Sequence, residues 1–313
     1  MGTPEFAVPS LKILVDNNYE LVAVVTAPDK PAGRGQKIQE SAIKQFAKEK
    51  NILCLQPEKL KDPAFIESLQ KLKPDIQVVV AFRMLPEIVW SLPRMGTINL
   101  HASLLPDYRG AAPINWAIIN GEKETGLSTF YLQQEIDTGK IILQEKVKIL
   151  ATDSAGDLHD RLMEKGALLL IKTIQSIESG TINPIDQNIL LAEKRETKTA
   201  PKIFRENCEI HWGNKGENLQ NLIRGLSPYP AAWCYITDEK GGRLVLKVFV
   251  SEFNKSIHTV MPGELITDSK SFLRVAVPDG YLNLVSVQLE GKKRMNIEEF
   301  LRGQQHIQKF SFM

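Results

Sequence analysis

Through its first two thirds the chain alternates short β-rich runs with helix-spaced stretches, and no other feature restricts its fold so much. ELVAVVTA (20–27) and DIQVVVAF (75–82) read as buried strands. Between them, SAIKQFAKEK (41–50) and AFIESLQKL (64–72) space their apolar residues like helices and are bounded by Pro or Gly. Such alternation predicts an α/β fold, a doubly wound and mostly parallel sheet covered by helices. Farther on, Ser154 fits an N-cap, and Leu158, Leu162, Leu169, Ile174 and Ile177 keep a roughly helical period up to Gly180. A long core-packing helix is expected there.

Periodicity fades over residues 181–206, which carry Asn183-Pro184, the charged tract EKRETK and Ala200-Pro201. This segment reads as a linker between a domain over 1–180 and another over 207–313. The second opens with helix-like GENLQNLIRGL and continues through AAWCYIT, RLVLKVFVSE, PGELIT, FLRVAVP and YLNLVSVQL, broken by Gly, Asp and Pro turns. Five short strands at this spacing predict a small C-terminal β-barrel. A length of 313 residues suits two domains.

Composition removes several classes. A hydrophobic fraction of 43% and a charged fraction of 24% exclude a disordered or fibrous chain. Cys54, Cys208 and Cys234 lie far apart, with neither zinc spacing nor a disulfide framework, which fits a reducing compartment. The longest apolar runs, such as IQVVVAF and ALLLI, fall short of the ~18 residues of a spanning helix. No charged-then-apolar leader opens the chain, so neither membrane insertion nor secretion is expected. A net charge of +2 excludes a polycation that coats nucleic acid, so any RNA contact needs local basic clusters.

The most informative stretch runs from Thr97 through Asn99, His101 and Ser103 into LLPDYRGAAPINWAI. If TINL is a strand, Asn99 and His101 lie two apart and point to one side. A loop following a strand is also where open α/β sheets place ligands. From this pair alone, side chains that merely satisfy loop backbone are an equal alternative. Glu135-Ile136-Asp137-Thr138-Gly139 adds a carboxylate on a loop able to face the same crevice, although an Asp-Thr-Gly turn by itself is usually only a turn. As a set, amide, imidazole and carboxylate suit attack of an amine on a formyl carbon. The imidazole manages protons, the amide steadies the oxyanion and the carboxylate orients the imidazole. Ser103 is set aside as a nucleophile because no Gly-x-Ser-x-Gly elbow surrounds it.

NLHASLLPDYRGAAPINWAI with the later DTG closely resembles the folate-dependent formyltransferases, and GTPEFAVPSL, APKIF, IHWGNKGENLQNLIRGLSPYPAAW and EGKKRMNIEEFLRG extend the likeness over nearly the whole chain. The resemblance implies a catalytic triad of Asn99, His101 and Asp137, with direct transfer from 10-formyltetrahydrofolate and no covalent enzyme intermediate or metal. It implies a Rossmann-like catalytic domain and an OB-like barrel. For the folate pocket it points to Phe82, Met84, Leu85, Ser103, Leu104, Leu105, Pro106 and Asp137. The segments GTPEFAVPSL and PDKPAGRGQKIQESAIKQFAKEK are similar to the branch of the family whose acceptor is the α-amino group of methionyl initiator tRNA.

That tract would offer Lys30, Arg34 and Lys37 to phosphates, and the barrel Lys202, Arg205, Arg243, Lys247, Lys292, Lys293 and Arg294, while Trp212 and Trp233 are assigned to the core. A cytoplasmic monomer is expected. Two rivals are a formyltransferase acting on a small amine such as an amino-sugar nucleotide, and a non-catalytic RNA-binding module. The basic PAGRG loop argues against the first and the complete triad against the second. Two departures from the family matter. The strand that usually precedes the MGTP segment does not stand before Met1: either the start is truncated or the sheet has lost a strand, which would leave edges and apolar surface exposed. Residues 81–86 are also shorter by a residue than in some relatives, at a loop that helps line the folate pocket.

Overall fold

A computed structural model describes residues 1–32, 37–192, 196–237, 242–304 and 311–312. The chain falls into two units, one of Met1–Pro113, Glu124–Lys148 and His159–Ala200, the other of Ile114–Lys123, Ile149–Leu158 and Pro201–Met313.

Beside the short pair Lys30–Ala32 and Lys37–Gln39, the strands of the first unit are β1 (Val24–Val25), β2 (Cys54–Leu55), β3 (Gln77–Val80), β4 (Thr97–His101), β5 (Arg109–Gly110), β6 (Glu124–Tyr131), β7 (Ile141–Lys148) and β8 (Thr199–Ala200). Its helices include α1 (Val8–Asp16), α2 (Ala42–Glu49), α3 (Pro63–Leu72), α4 (Ala155–Glu178), whose first residues belong to the second unit, and α5 (Gln187–Ala192). Neighbouring residues of β3 show the layering. Val78 packs with Leu14 of α1 and Leu170 and Ile174 of α4, whereas Val79 packs with Phe65 and Leu69 of α3. Successive strand residues point to opposite faces, so helices cover both sides of the sheet and it is doubly wound. Pairing is mixed. β1 runs parallel to β2 and β3 to β4, but β4, β6 and β7 are antiparallel in sequence.

Between β1 and β3, Met1 and Gly2 alone bridge the strands: Gly2 N donates to Val25 O at 3.0 Å and Val80 N to Met1 O at 2.9 Å. Met1 N donates to Val78 O at 2.6 Å. Upstream of this bridge lies a cavity of about 570 Å³, lined among others by Leu21, Val24, Leu69, Ile76, Val78 and Ile174.

Within 181–206, read from the sequence as a linker, the described residues form short elements. Ile185 bridges Ile141 through two backbone hydrogen bonds of 2.8 and 2.9 Å, α5 follows, and β8 pairs in parallel with β5. These elements are too short to show a period, and their order comes from pairing with distant chain.

The second unit contains α6 (Gly216–Gly225), β9 (Ala232–Thr237), β10 (Arg243–Lys255), β11 (Leu265–Thr267), β12 (Leu273–Val277), β13 (Gly280–Leu289), β14 (Met295–Asn296), α7 (Ile297–Arg302) and β15 (Ser311–Phe312). An antiparallel sheet runs in the order β11, β12, β13, β10, β9, β15, with β14 beside β13. Register shifts between Val248, Val250 and Ser251 interrupt the long strand β10, and bulges of this kind bend a strand and increase its twist. The result is a curled sheet, a half-barrel, over a core that includes Leu246, Val275, Leu282 and, from α6, Leu219 and Ile223. Gly216 allows α6 to seat directly on β10, since a Cβ there would stand 2.1 Å from the Phe253 ring.

Candidate active site

β4 supplies the two central groups. Ile98 and Leu100 enter the core, Leu100 toward Gly166 of α4, which leaves Asn99 and His101 together on the other face. His101 is 7% exposed, and its Nε2 lies 2.8 Å from the Tyr108 carbonyl oxygen. A carbonyl only accepts, so Nε2 carries the hydrogen and Nδ1 of the neutral ring keeps its lone pair. That nitrogen faces Asp137, with Nδ1 and Oδ2 3.8 Å apart, beyond direct hydrogen-bond reach. The ring is therefore oriented by the Tyr108 carbonyl, with Phe130 edge-on at 6.5 Å, and Asp137 contributes charge. The Asn99 amide is half-buried and has no hydrogen-bond partner among the described residues, which leaves it available to a bound group.

Asp137 sits on the connection between β6 and β7 in the left-handed region, φ 55°. Its Oδ2 accepts from Gly110 N at 2.9 Å. Gln187, the first residue of α5, donates from Nε2 to Asp137 O at 2.9 Å and to Gly139 O at 2.7 Å. Its Oε1 accepts from Arg109 Nε at 3.0 Å and Nη2 at 2.5 Å. Burial pulls the Arg109 guanidinium below its ordinary value, opposed by the nearby Asp137 and Glu135 carboxylates. Nothing in the sequence around Gln187 signals this role.

The loop after His101 is tied down from below. Ser103 Oγ donates to Asp107 O at 2.6 Å, so its hydroxyl is committed to the loop and is no free nucleophile. Ser128 Oγ donates to Ser103 O at 2.6 Å and accepts from Leu105 N at 3.0 Å, while Gln144 Nε2 donates to Leu105 O at 2.9 Å. Among the folate-pocket expectations, Ser103, Leu105 and Pro106 are buried, with Leu105 packed on Phe130 and Ile141, and Leu104 is half-buried over Gly126. Leu85 is buried with Val79 and Val89, Phe82 packs on that cluster, and Met84 is 70% exposed. Leu132 touches both clusters and so brings the two loops near each other. The 570 Å³ cavity shares no lining residue with the triad. No group of three or more metal-ligating side chains occurs among the described residues.

Of the basic candidates in the first unit, Lys30 is exposed on the strand Lys30–Ala32, which pairs with Lys37–Gln39. Arg34 and the Lys37 side chain lie outside the described residues. Lys44 is engaged by Asp29 and Glu40, and Lys48 by Glu40. In the second unit the structure gathers several candidates on one strip. Arg205 lies 5.0 Å from the Trp233 ring, Trp233 meets Tyr235 edge-on at 5.0 Å, and Arg243 stands 3.6 Å over Tyr235. Lys247 is the cross-strand partner of Trp233. Trp233 and Trp212 belong to the core, and Tyr235 is a member of the strip that sequence reasoning missed, though its place two residues after Trp233 on a strand was a usable signal. Lys202 lies 5.4 Å from the Phe204 ring, Arg294 lies 4.4 Å from the Phe249 ring, and Lys292 and Lys293 are exposed before β14.

Chemically, the first unit presents an open imidazole nitrogen, an unengaged amide beside it and a carboxylate held 3.8 Å away. Such a set can accept a proton and stabilise an oxyanion at one carbonyl-type carbon. A sequence profile described as "Formyl transferase" matches residues 1–174, and one described as "Formyl transferase, C-terminal domain" matches residues 202–305. A methionyl-tRNA formyltransferase from Bacteroides fragilis is 54% identical over 303 residues, covering 97% of this chain and 93% of its own length. Another, from Parabacteroides distasonis, is 52% identical over 312 residues, covering 99% and 96%. Among solved structures, the sugar 3N-formyl transferase WlaRD, in the presence of dTDP and 5-N-formyl-THF, aligns with a TM-score of 0.66 at 20% identity over 93% of this chain and 97% of its own. The N-formyltransferase of Helicobacter canadensis, in complex with folinic acid and dTDP-3-aminofucose, aligns at 0.63 and 19% over 94% and 97%.

Proposed function

The chain belongs to the formyl transferase family, and from that membership we propose that it moves the formyl group of 10-formyltetrahydrofolate onto the α-amino group of methionyl initiator tRNA. The observation that carries the chemistry is the open Nδ1 of His101, made so by the 2.8 Å contact of Nε2 with the Tyr108 carbonyl. His101 Nδ1 accepts the proton released as the amine nitrogen bonds to the formyl carbon. The Asn99 amide donates to the oxyanion formed at that carbon. Once protonated, the imidazolium stands 3.8 Å from the Asp137 carboxylate, which stabilises it until the proton is returned to the folate nitrogen as the carbon–nitrogen bond breaks. Phe82, Leu85 and Leu104 are the pocket candidates on the flanking loops.

The acceptor is supported by relatives of about half identity over nearly full length and by the strip of Arg205, Tyr235, Arg243 and Lys247, which sets cations beside an aromatic ring as single-strand binders do. With this acceptor the protein works where translation starts, in the cytoplasm. The test is incubation with 10-formyltetrahydrofolate and aminoacylated initiator tRNA, beside an amino-sugar nucleotide. Acid-stable formyl-methionine is the expected product. Formylation of the amino sugar alone would move the reading to a small-amine enzyme.

A further inference from the structure

We infer that Gln187 is a positioning residue for the transfer, an inference that rests on the formyl-transfer reading of the site. Its side chain is 1% exposed, and both donor hydrogens and the acceptor oxygen are engaged: Nε2 with Asp137 O at 2.9 Å and Gly139 O at 2.7 Å, Oε1 with Arg109 Nε at 3.0 Å and Nη2 at 2.5 Å. Two segments meet at this amide. One is the turn that carries Asp137, held at φ 55°, a conformation that non-glycine residues adopt at a cost and keep only when their surroundings enforce it. The other is β5, where Arg109 precedes Gly110, and Gly110 N supplies the 2.9 Å hydrogen bond that aims the Asp137 carboxylate. Gln187 thus holds the backbone on which the carboxylate rides and also the strand whose N–H fixes its direction.

The chain returns to this place because Ile185 bridges Ile141, just after the Asp137 turn, and sets Gln187 against it two residues later. A carboxylate 3.8 Å from Nδ1 has little slack. Moving it by about 1 Å changes its interaction with the developing imidazolium, and misplacement on that scale costs up to about 100-fold in rate.

Two variants separate positioning from bulk stability. Gln187→Glu keeps an acceptor for Arg109 and removes both donors to the Asp137 turn, and Gln187→Leu removes all four contacts. Both are expected to lower kcat about 10- to 100-fold, with KM for 10-formyltetrahydrofolate and for methionyl-tRNA within about threefold of wild type. The His101 ring signals in NMR spectra of the folded variants are expected to shift, because the facing carboxylate has moved. A Glu variant with wild-type kcat, unshifted His101 signals, or a loss confined to KM would each overturn the role. If the wild-type protein formylates neither acceptor, the functional reading falls, and the His101 signals still decide whether Gln187 fixes Asp137.

Discussion

His101 takes its tautomer from a backbone carbonyl, a partner that no side-chain truncation deletes. Removal of the imidazole is the clean test: His101→Ala is expected to lower turnover by roughly two to four orders of magnitude while tRNA affinity and the unfolding midpoint stay near wild type. Retention of more than about a tenth of the activity would remove His101 from the proton path. That Asn99 and His101 share a face was legible in the sequence, because residues two apart on a strand do so, and Asp137 entered through its turn and the family likeness. The carbonyl of Tyr108 was not, because backbone groups leave no mark in a sequence. Gln187 was hidden for another reason, since its role depends on a return of the chain that no local pattern encodes.

Among the elements, α4 and the longer strands of both units were legible from periodicity, and the start of α4 shows why. Asp157 N donates to Ser154 Oγ at 3.2 Å, and Ser154 N donates back to Asp157 Oδ2 at 2.9 Å, a reciprocal cap. Ser154→Ala is expected to cost about 1 kcal/mol in urea unfolding, and a loss near zero would mean Asp157 caps unaided. Residues 181–206 went unread because order there comes from the pairing of β8 with β5 and of Ile185 with Ile141. The strip on β9 was half legible, as its cations stood out and the ring of Tyr235 did not. If Arg243 meets a phosphate, Arg243→Ala should reduce the slope of log tRNA affinity against log salt by about one unit or slightly less. An unchanged slope in a salt titration would return Arg243 to the role of a cover for Tyr235.

For the molecule as a whole, the gap between β1 and β3 dominates. A short apolar strand-forming segment fused before Met1 would lie where it can pair with both β1 and β3. It is expected to raise the melting temperature, by about 2–4 °C for each kcal/mol gained. Thermal melting curves decide it, and an unchanged or lower midpoint would show that the gap does not accept a strand. The two units carry a separate consequence. Asn115 donates to Gly225 O at 2.7 Å, Trp116 to Pro201 O at 2.8 Å, and Arg224 to Asp153 O at 3.0 Å, all within the second unit although 115, 116 and 153 precede the close of the first. A protease nick just after residue 201 would therefore not release two free halves. The fragments would stay interlocked as complementing pieces and part only under denaturant, because the first fragment carries segments that the second needs to fold around.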